Sequence, residues 1–290
     1  MIPNSYFQRD LWEFIRYSLL HDPDSLFTYC RQRTHLSLHR VEANTLCIRN
    51  IGAVNFPLDF QYGQQMKWMY WGIYQFPIQQ LMRKILKPGD ICIDAGANVG
   101  YFSAIAMDIV GRSGEVHSFE PIPEYFAYLT KVKELNPVFH HFICNMALGD
   151  WPGMLTMAIN SENVGGSTPV YRLLEHYIIR DWIEVPVMRL DTYLEEHVNG
   201  RVGLVKIDVE GFEYPVLKGM QSYLDTAPVL PPIICEIVPK AYPILHTSLS
   251  ELAAYMGGYD YDTRLVSNPS KTIDVSDLRK TTDVLFLPSR

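Results

Sequence analysis

The chain lacks several features that would narrow its function at once. Its five cysteines, Cys30, Cys47, Cys92, Cys144 and Cys235, form no CxxC pair. Three of them lie in apolar, strand-like runs, where cysteine serves as a small buried hydrophobe, so neither a disulfide frame nor a cysteine metal site is expected. No Lys/Arg run exceeds a pair and the net charge is −7, which argues against a binder that tracks nucleic-acid phosphates. No apolar stretch approaches the roughly 18 residues of a spanning helix, and the start carries no secretory pattern. A cytoplasmic protein with no integral membrane segment is therefore expected. There is no Gly-Lys-Ser/Thr phosphate loop, no internal repeat and no low-complexity tract.

What is present is an ordinary globular composition, 48% hydrophobic and 20% charged over 290 residues, enough for one large α/β domain with an appendage. Residues 1–65 read as an extension of helices and strands, suited to a lid, a homodimer contact or a partner surface. It opens on an amphipathic helix at residues 5–21, with Phe7, Leu11, Phe14, Ile15 and Leu19 on one face. Such a face packs on its own domain or a second subunit more readily than it lies on a membrane. A second helical turn is expected near Leu26 to Arg31, and short strands between Leu36 and Phe60. The stretch 66–86 turns helical after Pro77.

The remaining chain, 66–290, alternates strand and helix. Strands are expected at Ile91–Ala95, Glu115–Phe119, His140–Cys144, Gly203–Val209, Ile233–Val238 and Val284–Leu287. Helices separate them, as parallel strands with crossover connections require. An insertion at 150–200 breaks the rhythm with two more strands around the loop NVGGST at 163–168.

A parallel sheet of this kind binds ligands at the carboxyl ends of its strands. The first strand ends in DAGANVG, with Asp94, Gly96, Ala97, Asn98 and Gly100. In a dinucleotide-binding GxGxxG turn the middle glycine makes room for a pyrophosphate; here that position is Asn98, whose side chain would intrude. The turn suits an adenosyl ligand without phosphates. Glu120 closes the second strand and can accept from both hydroxyls of a ribose, a feature shared with NAD sites. Pro121 and Ile122 could lie against an adenine ring, and Asn145, Met146 and Ala147 could meet its edge and face. Asp94 would face a cationic amino-acid group, or, in the plainer alternative, stabilise a helix N-terminus by its charge.

In LVKIDVEGFE, alternation places Lys206, Asp208 and Glu210 on one side of the fourth strand. Three ionisable groups on one face of a central strand need partners or a ligand. Glu236 ends the neighbouring strand and should point the same way. A Lys206–Asp208 or Lys206–Glu236 ion pair that only shapes the wall is the alternative. Asp208, Glu210 and Glu236 could also hold Mg²⁺, as grouped carboxylates do. The histidines are less promising: His117, His140 and His141 are expected to be structural, and His176 and His246 lie in loop-rich segments. Trp71, Tyr74 and Gln75 belong to an aromatic run, with Trp68, Tyr70 and Phe76, that could wall an acceptor pocket.

Taken in order, IDAGANVGYFSAIA, VHSFEPIPEYFAYL, NMALGD, LVKIDVEGFEYPVLKGM, PPIICEIVPKAY and TTDVLFLP resemble the FkbM family of methyltransferases over roughly residues 70–290. The resemblance implies the class I methyltransferase fold. This is a Rossmann-like, mostly parallel seven-stranded sheet with helices on both faces and its last strand inserted antiparallel. It also implies S-adenosylmethionine as cofactor and methylation of a hydroxyl group on a sugar, natural product or lipid-like small molecule. The family's motifs fall on Asp94, Gly96, Asn98, Gly100 and Glu120, then on Lys206, Asp208, Glu210 and Gly211. One departure is Gln75, where many members carry a glutamate. Asp208 and Glu210 are the candidates for organising and deprotonating the acceptor. A dinucleotide-dependent oxidoreductase and a non-catalytic cofactor-binding scaffold remain as alternatives.

Overall fold

The computed structural model describes residues 11–12, 14–16, 18–19, 30, 46–60, 64–160, 166–174 and 178–289. The start of the amphipathic helix, the turn near Leu26, the strands expected before residue 46, the first half of the loop NVGGST and His176 lie outside the described residues. Within 11–19 the described positions are helical, and Phe14 is buried edge-on against Phe76 with Ile73 beside it.

Strands β1 (Leu46–Ile51) and β2 (Val54–Asp59) form a hairpin. Helices α1 (Gln64–Trp71) and α2 (Phe76–Ile85) follow, so a helix precedes the one expected after Pro77. The central unit then runs β3 (Ile91–Ala95), α3 (Tyr101–Val110), β4 (Glu115–Phe119), α4 (Pro123–Glu134) and β5 (His140–Cys144). A separate three-stranded sheet comes next, of β6 (Ala147–Leu148), β7 (Gly153–Asn160) and β8 (Ile179–Met188). After helix α5 (Leu190–His197) the main sheet resumes with β9 (Val202–Ile207), α6 (Glu213–Lys218), β10 (Ile233–Ile237), α7 (Leu249–Gly258), β11 (Tyr261–Leu265), β12 (Asn268–Thr272) and β13 (Thr282–Pro288).

The main sheet is ordered β12-β11-β13-β10-β9-β3-β4-β5. Strands β10, β9, β3, β4 and β5 pair in parallel, and β13 is inserted antiparallel between β10 and β11. This is the class I methyltransferase arrangement that the resemblance implies, with an eighth strand, β12, hairpinned onto the edge by β11. That hairpin escapes a reading by hydrophobic alternation because β12, NPSKT, is almost wholly exposed.

Two apolar layers cover the sheet. Helix α3 carries its apolar residues all round, as a helix must that is buried on more than one side: Ala104, Ile105, Ala106 and Met107 are fully buried. It is packed between the sheet and the β1–β2 hairpin, where Phe56 meets Tyr101 edge-on. Tyr128 of α4 donates its hydroxyl proton to the Pro57 carbonyl, 2.6 Å away. The hairpin thus shares the core of this layer. The opposite layer is built by α5, α6 and α7 on Ile93, Val205, Ile207 and Cys235. A crevice lies at the carboxyl ends of β3, β4 and β9. Among the described residues no helix is long and apolar enough to cross a membrane.

Candidate active site

The turn after β3 is fixed by its own hydrogen bonds. The Gly96 and Ala97 amides both donate to the Phe119 carbonyl, at 3.0 and 2.9 Å, and the Gly100 amide donates to the Ala97 carbonyl. The Asn98 amide donates to Glu120 Oε2 at 2.8 Å, and the Val99 amide to Asn98 Oδ1 at 2.7 Å. Every amide from 96 to 100 is therefore spent inside the protein. None remains for a pyrophosphate, which a dinucleotide turn binds through such groups. The glycine at 96 serves a close approach of backbone to backbone. With φ at +80°, a Cβ there would lie 1.9 Å from the Asp208 carbonyl oxygen, so the first turn and the second motif touch directly.

Glu120 is buried at the end of β4, its other oxygen accepting from the Ile122 amide at 2.8 Å. Burial pushes its carboxyl up to about 7, against the opposite pull of the two amide donors. Each oxygen keeps a lone pair for a further donor. Asn145 does not meet the cavity; its amide donates to the Glu120 and Pro121 carbonyls at 2.8 and 3.0 Å, bracing the turn that carries the acid.

A cavity opens here, with about 580 Å³ of empty space including its mouth to solvent. Of the residues expected from the sequence, Gly96, Asn98, Glu120, Pro121, Met146, Ala147, Asp208 and Glu210 line it. Its apolar wall was not anticipated: Tyr125, Leu155, Met157 and Phe212 come from α4, the insertion and the turn before α6. Ala97, Gly100, Asp94, Lys206, Glu236, Trp71, Tyr74 and Gln75 are not among its lining. Tyr74 packs on Tyr101 and Phe102, and Gln75 starts α2 in a left-handed conformation with φ at 44°.

Asp94 lies below the turn, 1% exposed. Its Oδ2 accepts from Ser103 Oγ at 2.6 Å, so the Ser118 hydroxyl, 2.8 Å away, donates to Ser103. His141 Nε2, 2.9 Å from Ser118, must then carry the proton that Ser118 accepts. This tautomer leaves Nδ1 as an acceptor, the atom without a hydrogen-bond partner among the described residues. Burial, and then the Lys133 charge, pull the His141 pKa down to about 3, so the ring is neutral.

Lys206 sits 3.2 Å from Asp208 Oδ2 and 3.6 Å from Asp94 Oδ1, with Phe102 under its ammonium at 4.8 Å. It is 2% exposed. Burial alone would lower its pKa, yet the Asp208 and Asp94 carboxylates hold it above the usual lysine value. The pair expected as one alternative for Lys206 is therefore formed, with Asp94 as a second partner.

The alternation expected to carry Lys206, Asp208 and Glu210 along one strand face needs correction at its end. Strand β9 stops at Ile207. Glu210 enters the cavity because its own φ, 53°, is left-handed, a conformation costly for a residue with a Cβ and found mainly where a site requires it. Asp208, Glu210 and Glu236 bring carboxylate oxygens within 4.8 Å of one another, a grouping that could hold one divalent cation. Burial first, then the Asp208 and Glu213 charges, raise Glu210 well above the ordinary carboxyl range; burial and the Asp208 and Glu210 charges do the same to Glu236.

Residues 94–263 match the Methyltransferase FkbM domain. The chain is similar to Methyltransferase 1 of Beauveria bassiana (strain ARSEF 2860), 29% identical over 148 residues, covering 45% of this chain and 58% of that protein. It is also similar to the 31-O-demethyl-FK506 methyltransferase FkbM of Streptomyces tacrolimicus, 28% identical over 213 residues, 63% of this chain and 77% of that protein. Among solved structures, the methyltransferase FkbM from Methylobacillus flagellatus KT aligns with a TM-score of 0.43 at 15% identity, over 77% of this chain and 54% of that one. Because the family's domain matches more than half of this chain, the chain belongs to the FkbM methyltransferase family.

Proposed function

We propose that the protein transfers a methyl group from S-adenosylmethionine to a hydroxyl of a small molecule. The observation that carries this reading is the cavity itself, which has Glu120 on one wall and the Asp208–Glu210 pair on another. The residues fit the cofactor's chemistry. Glu120 supplies spare lone pairs for two ribose hydroxyls, Pro121, Ile122 and Met146 offer apolar surface for a ring, and the spent amides of the turn refuse a diphosphate. When bound, the cofactor supplies a methyl group on a positively charged sulfur.

The chain's part is to place the acceptor oxygen about 3–3.5 Å from that carbon and in line with the bond that breaks. The apolar wall of Leu155, Met157 and Phe212 would hold the body of the acceptor. Glu210 takes the hydroxyl proton as the new carbon–oxygen bond forms and the sulfur leaves as a neutral thioether. Its raised basicity suits it to this role, since general-base efficiency rises as the base approaches the working pH. Asp208, paired with Lys206, orients the acceptor beside it.

Calorimetry with S-adenosylhomocysteine tests the cofactor half. Wild type should bind with Kd in roughly the micromolar range, a free energy near −8 kcal/mol. Glu120→Ala should bind about 100-fold more weakly, the loss of two hydrogen bonds to a charged acceptor. Equal affinity in the two proteins would refute the ribose assignment.

A further inference from the structure

The peptide unit joining Glu210 to Gly211 is gripped at both ends by side chains. Its carbonyl accepts from Thr168 Oγ1 at 2.6 Å. Its amide donates to Glu213 Oε1 at 2.7 Å. Thr168 and Glu213 are 1% and 0% exposed, so both anchoring side chains are shielded from water. Thr168 is itself rigid: its amide and carbonyl pair with Ala158 on β7 at 3.1 and 3.0 Å, and its hydroxyl oxygen accepts from the Val170 amide at 2.9 Å. Glu213 is anchored in the first turn of α6. Position 211 admits no side chain, because at φ +101° a Cβ would come within 2.8 Å of Leu173 and 2.9 Å of Ala241.

Glu210 adopts its left-handed conformation between these two anchors. A carboxylate-bearing residue relaxes from that region unless its surroundings over-determine it. Here the surroundings do so from two directions, one from the helix after the turn and one from the insertion. Ser167 and Pro169, on either side of Thr168, line the cavity. A molecule seated against them therefore rests on the same segment that holds the Glu210 carbonyl.

We infer that Thr168 and Glu213 are positioning residues for methyl transfer, clamping the Glu210–Gly211 peptide so that the Glu210 carboxylate is presented to the acceptor. The inference rests on the reading of Glu210 as the proton acceptor. Through Thr168, the insertion between β6 and α5 is part of the catalytic apparatus as well as a wall of the pocket. Neither residue touches the reacting atoms; both act on Glu210.

The test follows the Gly211 amide of the full chain by hydrogen exchange, read by NMR, in wild type, Thr168→Val and Thr168→Ser. Valine keeps the shape and removes only the donor. Loss of one buried hydrogen bond should speed Gly211 exchange roughly tenfold, while serine should restore the wild-type rate. Thr168→Val should also lower kcat for transfer from methyl-labelled cofactor to an extract of hydroxylated metabolites, with S-adenosylhomocysteine affinity unchanged. Should Thr168→Val not fold, Glu213→Asp, whose carboxylate is too short to reach the amide, replaces it and should speed the same exchange.

Unaltered Gly211 exchange in a folded Thr168→Val, with Glu210 still left-handed in its crystal structure, overturns the clamp. Faster exchange together with full turnover also overturns the positioning role. Full turnover by Glu210→Gln would instead strike the proton-acceptor reading, so the two failures are distinguishable.

Discussion

The two sides of the cavity are built on opposite principles. On the β3–β4 side, five successive amides find acceptors within the turn and at the end of β4, one of them the buried acid Glu120, and Gly96 lets one backbone approach another. On the β9–β10 side, three carboxylates crowd within 4.8 Å, with a residue held in a costly conformation among them. The first side is a finished frame that needs only to receive a ligand. The second stores unfavourable charge and backbone geometry, which a reaction can use. Lys206 joins them, since it pairs with Asp94 below one side and Asp208 on the other.

That junction gives the largest expected effect. Lys206→Met would leave Asp94 and Asp208 facing each other without a cation, a change that costs about 3–5 kcal/mol when a buried pair is broken. Urea unfolding should show the loss as a lower midpoint; a wild-type midpoint would mean the two sides are not electrostatically coupled. Gly96→Ala tests their steric contact. A Cβ so close to the Asp208 carbonyl should cost about 1–3 kcal/mol, measured in the same way, and should shift the Asp208 backbone in a crystal structure.

The acid–base character of the two sides can be separated by pH. If Glu120 is the ribose acceptor proposed above, it would act best as the anion, and burial raises its carboxyl to about 7. Cofactor affinity should therefore fall as pH drops below 7, approaching tenfold per unit. Stability moves the other way. Glu120 and Glu213 sit at about 7 and about 8, above the ordinary value of 4.5, so the folded state holds protons that the unfolded state has released. Their contribution is present at low pH and lost as pH rises toward 8. His141, pulled down to about 3 from 6.5, opposes this below pH 6.5. Between pH 6.5 and 8, thermal melting of the unliganded protein should therefore fall as pH rises while cofactor affinity improves or levels off. The smallest effect belongs to Asn145→Ala. It removes the brace on the Glu120–Pro121 carbonyls and should weaken S-adenosylhomocysteine binding about fivefold, near 1 kcal/mol.

The same contrast governs how far the site could be read in the sequence. Strands β3, β4 and β5 fall where apolar runs and flanking turns place them, because buried parallel strands are continuous in composition. The acid ending β4 was legible for the same reason. Asp94 and Asn145 show the limit: both read as ligand-facing, yet their described hydrogen bonds go to Ser103 and to the Glu120–Pro121 turn. A sequence shows where a polar residue stands but not which neighbour reaches it first. Glu210 reaches the cavity through a left-handed turn that period-two reasoning cannot supply, and its clamp joins Thr168 to a turn 42 residues away. No local pattern records such a contact. Only the glycine at 211, followed two residues later by Glu213, hints that the turn is constrained.

The account depends on Glu210 receiving the acceptor's proton from within a cavity that Glu120 has already furnished with cofactor. Its most direct test is transfer of a labelled methyl group by Glu210→Gln, measured beside calorimetry of the same variant. The expected result is wild-type affinity for S-adenosylhomocysteine with transfer reduced about 10²–10⁴-fold. Undiminished transfer, or loss of cofactor binding with it, would contradict the account.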